Sequence, residues 1–185
     1  PRPGLGLVGR VGPIKDIKTL CRAVGRVGNK RPAAQGWIAG PGDEDPAYAT
    51  ECHNLVRSLG LQEHIRFLGF QRVEALMPQI GLVVLSSISE ALPLVLLEGY
   101  AAGVPTVTTD VGSCRQLVEG LDDEDRALGH SGMVVPIADP QRLADAALAL
   151  LGDTAAWQAA SQAAIARVER YYTDFVRGGA NLGDA

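Results

Sequence analysis

The sequence predicts an α/β domain built as a doubly wound parallel sheet of about six strands, Rossmann-like in form. Three observations carry this. Short apolar runs alternate along the chain with segments of helical periodicity, the pattern of repeated strand–helix units. Leu82–Leu85 is apolar at every position, as a central parallel strand covered on both faces should be. The 185 residues, 46% hydrophobic and 21% charged, suffice for one compact core.

Each element has its own signal. Leu5–Val8 reads as the first strand. Ile17, Leu20, Cys21, Val24 and Val27 form a helical stripe behind Asp16, a ready N-cap. Trp37–Ala39 is the second strand. Asp45-Pro46 is a cap followed by proline at the first helical position, and Tyr48, Cys52, Leu55, Val56 and Leu59 give the stripe that Gly60 ends. Ile65–Leu68 is the third strand, and Val73–Met77 a short helix broken near Pro78. After the fourth strand, Leu82–Leu85, the spacing predicts a helix over Pro93–Ala102, ended by Gly103. Thr106–Thr108 is the fifth strand. Ser113 and Gln116 read as a capping box for a helix that stops at Gly120. Met133–Val135 is the sixth strand. Asp139-Pro140 opens a helix with Leu143, Ala147 and Leu150 inward, and Thr154–Tyr172 is a long helix with Trp157, Ile165 and Val168 on one side. The domain is expected over residues 1–176, with a Gly-rich, polar tail over 177–185.

Composition narrows the function. Seventeen basic and 21 acidic side chains leave a net charge of −4, so no basic excess points to nucleic acid or an anionic membrane surface. Apolar stretches are interrupted within about ten residues, too short to span a bilayer. Cys21, Cys52 and Cys114 show neither a CxxC nor a zinc spacing and read as buried free thiols, which suits a reducing cytosol. Pro1–Leu5 has no signal-peptide architecture and runs almost at once into a strand, as in a chain cut from a longer protein. His53, His64 and His130 are scattered, with no nucleophile–base arrangement of a hydrolase triad. The acidic run Asp122–Asp125 reads as a solvated loop rather than a metal site.

In a sheet of this kind ligands bind beyond the carboxyl ends of the strands, so the loops there matter most. After the first strand, Gly9 and Gly12 permit close backbone approach while Arg10 and Lys15 flank the loop near a helix start. That can cradle a diphosphate, or be a surface loop with solvated cations. Gly40-Pro41-Gly42 is turn chemistry. The exit through Gly69-Phe70-Gln71 either grips a flat base with its backbone or is a simple strand end. The fourth strand exits through Ser86-Ser87-Ile88-Ser89-Glu90-Ala91-Leu92-Pro93-Leu94. Pro93 near a first helical turn leaves amides around Ala91–Leu94 as free donors, so Glu90 either caps them or binds something else. Glu98 sits among Leu96, Leu97, Tyr100 and Ala101. A buried carboxylate needs donors, so Glu98 calls for an internal arginine, ligand hydroxyls or an exposed helix edge. Gly112, after the fifth strand, permits close ligand approach.

Glu90 and Glu98 are separated by seven residues within Ser-Glu-Ala-Leu-Pro-Leu-Val-Leu-Leu-Glu. This resembles the E-x7-E signature of the retaining GT-B glycosyltransferases of family GT4. Gly9-Arg10…Lys15, Ile38–Gly42, Phe67–Phe70 and Thr109–Gly112 fall in the family's order, so the resemblance covers roughly residues 5 to 172. More narrowly, Pro13–Thr19, Ser86–Glu90 and Asp110–Arg115 look like exopolysaccharide glycosyltransferases of the PelF type.

The resemblance implies one half of a GT-B fold: a cytoplasmic domain that binds a nucleotide-sugar donor, a UDP-sugar by the narrower likeness. Arg10 and Lys15 would hold the donor diphosphate, with Gly9, Gly12 and Gly40 beside it. Glu90 would bind hydroxyls of the transferred sugar, and Glu98 those of the ribose. The amides of Ala91, Leu92 and Leu94, around Pro93, would meet the sugar or distal phosphate, and the Phe70 region would hold the base. No metal or other cofactor is expected. The implied partners are an N-terminal acceptor domain outside this chain and, through it, membrane-associated polysaccharide machinery. The chain alone is expected to bind donor weakly or not at all and not to turn over. A GT-B-fold sugar-nucleotide epimerase and a non-catalytic nucleotide-binding module are the competing readings. The few histidines stand against the first, and the intact Arg10, Lys15, Glu90 and Glu98 set against the second. Gly81 and Gly99 depart from the family, which often has Asp and Ala there.

Overall fold

A computed structural model describes residues 1–181 and side chains through residue 177. It shows six strands, β1 (Gly4–Val8), β2 (Gln35–Ala39), β3 (Ile65–Gly69), β4 (Leu82–Leu85), β5 (Thr106–Thr109) and β6 (Gly132–Val135). The helices are α1 (Ile17–Lys30), α2 (Pro46–Ser58), α3 (Val73–Leu76), α4 (Leu94–Ala101), α5 (Cys114–Glu119), α6 (Asp123–Arg126), α7 (Pro140–Leu151), α8 (Thr154–Tyr171) and α9 (Thr173–Asn181). All strand pairs are parallel, in the order β3-β2-β1-β4-β5-β6. The predicted doubly wound sheet is therefore present. Its strand order reverses between β1 and β4, the switch point at which sheets of this kind bind ligands beyond the carboxyl ends of their strands.

Local chemistry sets the helix starts. Aspartates cap five helices: Asp16 accepts from the Thr19 amide at 3.3 Å, Asp122 from the Asp125 amide at 2.9 Å, and Asp45, Asp139 and Asp153 from the amides three residues on, each at 3.0 Å. Pro46 and Pro140 follow two of these caps, where a missing N–H costs nothing. The capping box expected at Ser113 is absent: its side chain caps nothing. Instead its amide donates to the Ala91 carbonyl at 3.0 Å, tying α5 to the loop after β4.

Two apolar layers cover the sheet. β4 divides its side chains between them, with Leu82 and Val84 in the layer of α1, α2 and α7, and Val83 and Leu85 in that of α4 and α8. Each such fully buried side chain contributes roughly 1.5–3 kcal/mol. Cys21, Cys52 and Cys114 are buried free thiols, and burial pushes Cys21 up to about 12. The two unusual glycines have steric causes. A Cβ on Gly81 would lie 2.0 Å from the Arg2 carbonyl oxygen, and one on Gly99 2.8 Å from Val83 Cγ2.

Three expectations need correction. The acidic run is not a solvated loop throughout, because Asp125 is buried and pairs at 2.6 Å with Arg167, which is itself fully buried. Ile165 lies partly exposed at the edge of α8, whose buried face is Ala160, Ala163, Ala164, Arg167 and Val168. The tail expected from residue 177 begins inside α9, and residues 182–185 lie outside the described residues. Among the described residues no helix is long and apolar enough to cross a membrane.

Candidate functional site

Around the switch point stand the loops after β1, β2, β4 and β5. The loop after β1 turns through a short 3-10 helix, Pro13–Lys15, into α1. Two bonds fasten it to the exit of β4: Ser86 Oγ donates to the Lys15 carbonyl at 2.8 Å, and the Ile88 amide to the Ile14 carbonyl at 2.9 Å. Fixed in this way, Lys15 Nζ lies 2.5 Å from Glu90 Oε1, with side-chain exposures of 24% and 14%. Ser87 Oγ donates to the same carboxylate oxygen at 2.8 Å. A cation and an anion from distant loops thus meet, part-buried, beside a serine hydroxyl.

Close backbone contacts pack the loops around this cluster. A Cβ on Gly40 would stand 1.7 Å from the Gly9 carbonyl oxygen, and the Gly9 amide bonds the Ala39 carbonyl at 2.9 Å. Gly112 has φ +51, and a Cβ there would lie 2.1 Å from the Glu90 carbonyl oxygen. Its freedom is taken up by the loop carrying Glu90 and Ala91, not by a ligand. Gly12 is extended and has open space beside it.

Helix α4 starts at Leu94 with Pro93 as its N-cap, and no side chain caps its first turn. Pro93 is buried, Leu92 half-buried, and Ala91 and Leu94 exposed. The unpaired first-turn amides point to the same end of the sheet as Glu90, a setting that favours negative charge.

One turn into α4, Glu98 is half-buried. Neither an ion pair nor a side-chain hydrogen bond reaches it among the described residues, so the internal arginine considered from sequence is not there. Its carboxyl is pushed above the ordinary carboxylate range, first by burial and then by the nearby charge of Glu74. Glu98 lines a cavity of about 430 Å³ between α3 and α4, with Val73, Glu74, Leu97 and, from α9, Phe175.

Two predicted residues stand apart from the Lys15–Glu90 pair. Arg10 is largely exposed and pairs with Glu44 of the loop after β2. Phe70 is 79% exposed at the end of β3, where the Gly40 amide bonds the Gly69 carbonyl at 2.8 Å. Among the described residues, no three His, Cys, Asp or Glu side chains gather as a metal group would.

Sequence reasoning assigned nothing to Ser86, Ser87, Thr109, Glu44 or Glu74. Only the consecutive hydroxyls at a strand exit offered a signal, because adjacent residues there face different neighbours.

Comparison with known proteins places this geometry. Residues 2–153 match the family described as glycosyl transferases group 1. An exopolysaccharide phosphotransferase of Streptomyces coelicolor is 32% identical over 169 residues, covering 90% of this chain and 17% of that protein. A D-inositol 3-phosphate glycosyltransferase of Corynebacterium jeikeium is 31% identical over 148 residues, covering 77% of this chain and 33% of that protein. The chain thus spans a third or less of the length of these two relatives. Among solved structures, Anabaena HepE in complex with UDP and glucose superposes with a TM-score of 0.81 at 24% identity, over 98% of this chain and 48% of that one. The C-terminal domain of a glycosyl transferase group 1 family protein from Francisella tularensis gives 0.78 at 24% identity, over 91% and 85%. The fold is that of one domain of the GT-B glycosyltransferases, and with a family match across most of its length the chain belongs to glycosyl transferases group 1.

Proposed function

We propose that this chain is the donor-binding half of a retaining glycosyltransferase, taking a UDP-sugar and working in the cytoplasm with an acceptor-binding domain. The observation that carries this is the meeting of Lys15 and Glu90 at the switch point. Solved structures of the same fold hold UDP, or UDP with glucose, and the family match supports a transferase. An exopolysaccharide product draws support from the name of one relative, an exopolysaccharide phosphotransferase; membrane-associated machinery would be reached through the rest of the parent protein.

Each residue then has a chemical task. The Lys15 ammonium turns to the donor diphosphate and offsets the charge that grows on the leaving group as the glycosidic bond breaks. Arg10 reaches the same diphosphate from the rim, leaving Glu44. Glu90 accepts hydrogen bonds from hydroxyls of the transferred sugar. Glu98 accepts those of the ribose, which resolves its lack of an internal partner. The base lies against backbone near Phe70. No metal takes part, since lysine, arginine and the amides of α4 supply the positive field.

Titration of UDP into the chain, by calorimetry or by shifts of its amide NMR signals, tests this. Weak UDP binding is expected from the chain alone, reduced about tenfold or more by Glu98→Ala or by Lys15→Ala, the scale of one lost charge-assisted contact. Unchanged affinity in Glu98→Ala would remove the ribose role, and in Lys15→Ala the phosphate role.

A further inference from the structure

We propose that Ser87 is the positioning residue that holds Glu90 toward the sugar when Lys15 turns to the diphosphate. The inference rests on the donor-site reading above and deepens it. Ser87 is fully buried at the exit of β4. Its carbonyl accepts a hydrogen bond from Thr109 Oγ1 at 2.6 Å, so its backbone is pinned to the end of β5. Its hydroxyl donates to Glu90 Oε1 at 2.8 Å, the same oxygen that Lys15 Nζ approaches at 2.5 Å. A carboxylate has about four acceptor positions on two oxygens. Both protein donors fall on Oε1, and Oε2 has no side-chain donor among the described residues. Serine and lysine together therefore fix the carboxylate and leave one oxygen open.

The two donors differ in what a ligand does to them. Lys15 is a flexible cation at 24% side-chain exposure, and a diphosphate competes with Glu90 for it. Ser87 is an uncharged group with no exposed surface, on a strand end bonded to the end of β5 through Thr109. When the ammonium leaves Oε1, the hydroxyl is the remaining tether of Glu90. Ser86 plays the matching part for the other loop through its bond to the Lys15 carbonyl. The prediction is selective: Ser87 matters to the sugar part of a donor and not to its nucleotide part.

The experiment compares UDP with UDP-glucose, UDP-galactose and UDP-N-acetylglucosamine on the unmodified chain, Ser87→Ala, Glu90→Gln and the double variant, and reads the sugar that binds tightest. Ser87→Ala is expected to keep UDP affinity within about twofold and to weaken the UDP-sugar about tenfold, one charge-assisted hydrogen bond. In the Glu90→Gln background, Ser87→Ala should add almost nothing, because coupled residues are not additive. A merely structural serine would lower melting temperature and weaken UDP and UDP-sugar alike, which would overturn the proposal. So would equal binding of UDP and all three sugars by the unmodified chain. Crystal structures of Lys15→Ala and of Lys15→Ala with Ser87→Ala, both lacking the ammonium on Oε1, give a readout without ligand: Glu90 should keep its place in the first and leave it in the second. That outcome supports the tether even if no nucleotide binds, in which case the donor-site reading alone fails. Glu90 displaced already in the first, or unmoved in the second, sinks the tether. Should alanine prevent folding, Ser87→Gly serves in the same arms.

Discussion

Arg167 with Asp125 and Lys15 with Glu90 are ion pairs of similar length in opposite surroundings. The first is completed by the protein alone. Arg167 gives Nε to Asp125 Oδ1, one terminal nitrogen to the Val118 carbonyl and the Ser131 hydroxyl, and the other to the Asp125 and Gly129 carbonyls. Asp125 Oδ2 takes the Leu121 amide at 2.9 Å. All five guanidinium donors are used, and no solvent reaches the arginine. The second pair is left open. It stands part-exposed, and one carboxylate oxygen lacks a side-chain donor among the described residues. Completeness of hydrogen bonding, rather than the presence of charge, separates the pair that staples the chain from the pair that waits for a ligand.

The largest effect should come from breaking the closed pair. Arg167→Met leaves Asp125 buried without its cation and frees the carbonyls of Val118 and Gly129, so α8 no longer holds the segment between α5 and β6. Urea denaturation is expected to show a loss of roughly 3–5 kcal/mol, the usual cost of removing one partner of a buried pair. A loss below about 1 kcal/mol would mean that water enters the gap and that the network is no staple.

Glu98 sharpens the comparison from the other side, as a carboxylate with no ion-pair or hydrogen-bond partner among the described residues. Its folded-state carboxyl is raised above the ordinary range, by burial first and by Glu74 second. The folded chain therefore binds that proton more tightly than the unfolded one. The stability this gives is fully present below the unfolded value of about 4.3 and is lost as pH rises through the raised folded value. At pH 7 the charged carboxylate is a burden that Glu98→Gln removes. The variant should melt about 1–2 °C higher than the unmodified chain at pH 7, with the gap closing near pH 4, while UDP binding weakens. An equal melting difference at both pH values would show that titration of Glu98 is not the cause.

The sheet was legible because its signals are local. Apolar runs such as Leu82–Leu85 and caps such as Asp45-Pro46 act within a few residues, and the loops that bear Lys15 and Glu90 follow from strand ends. What failed depended on distant partners. Asp125 sits in a charge run that reads as solvated, and only the fold brings Arg167 to it from 42 residues away. Arg167 itself lies on the alanine stripe of α8, three residues after Ala164, a spacing that marks it as inward. Ser113 looked like a cap because its neighbours fit the pattern, but the loop after β4 takes its amide instead. Of the candidate site, the residue types and loops were readable. That Lys15 meets Glu90 while Arg10 meets Glu44 was not, since side-chain direction settles it.

The Arg10–Glu44 pair tests the open end of the scale. Its side chains are 69% and 56% exposed, so solvent screening leaves such a pair roughly 0.2–1 kcal/mol at most. Glu44→Gln should change stability by less than about 0.5 kcal/mol. It also frees the guanidinium for an anion, so UDP should bind about twofold tighter, and Arg10→Ala about threefold weaker, both differences shrinking as salt shortens the reach of exposed charge. Opposite signs from the two halves of one ion pair are the mark of a cation held in reserve. A pair that served folding would lose stability from either side and leave the nucleotide indifferent.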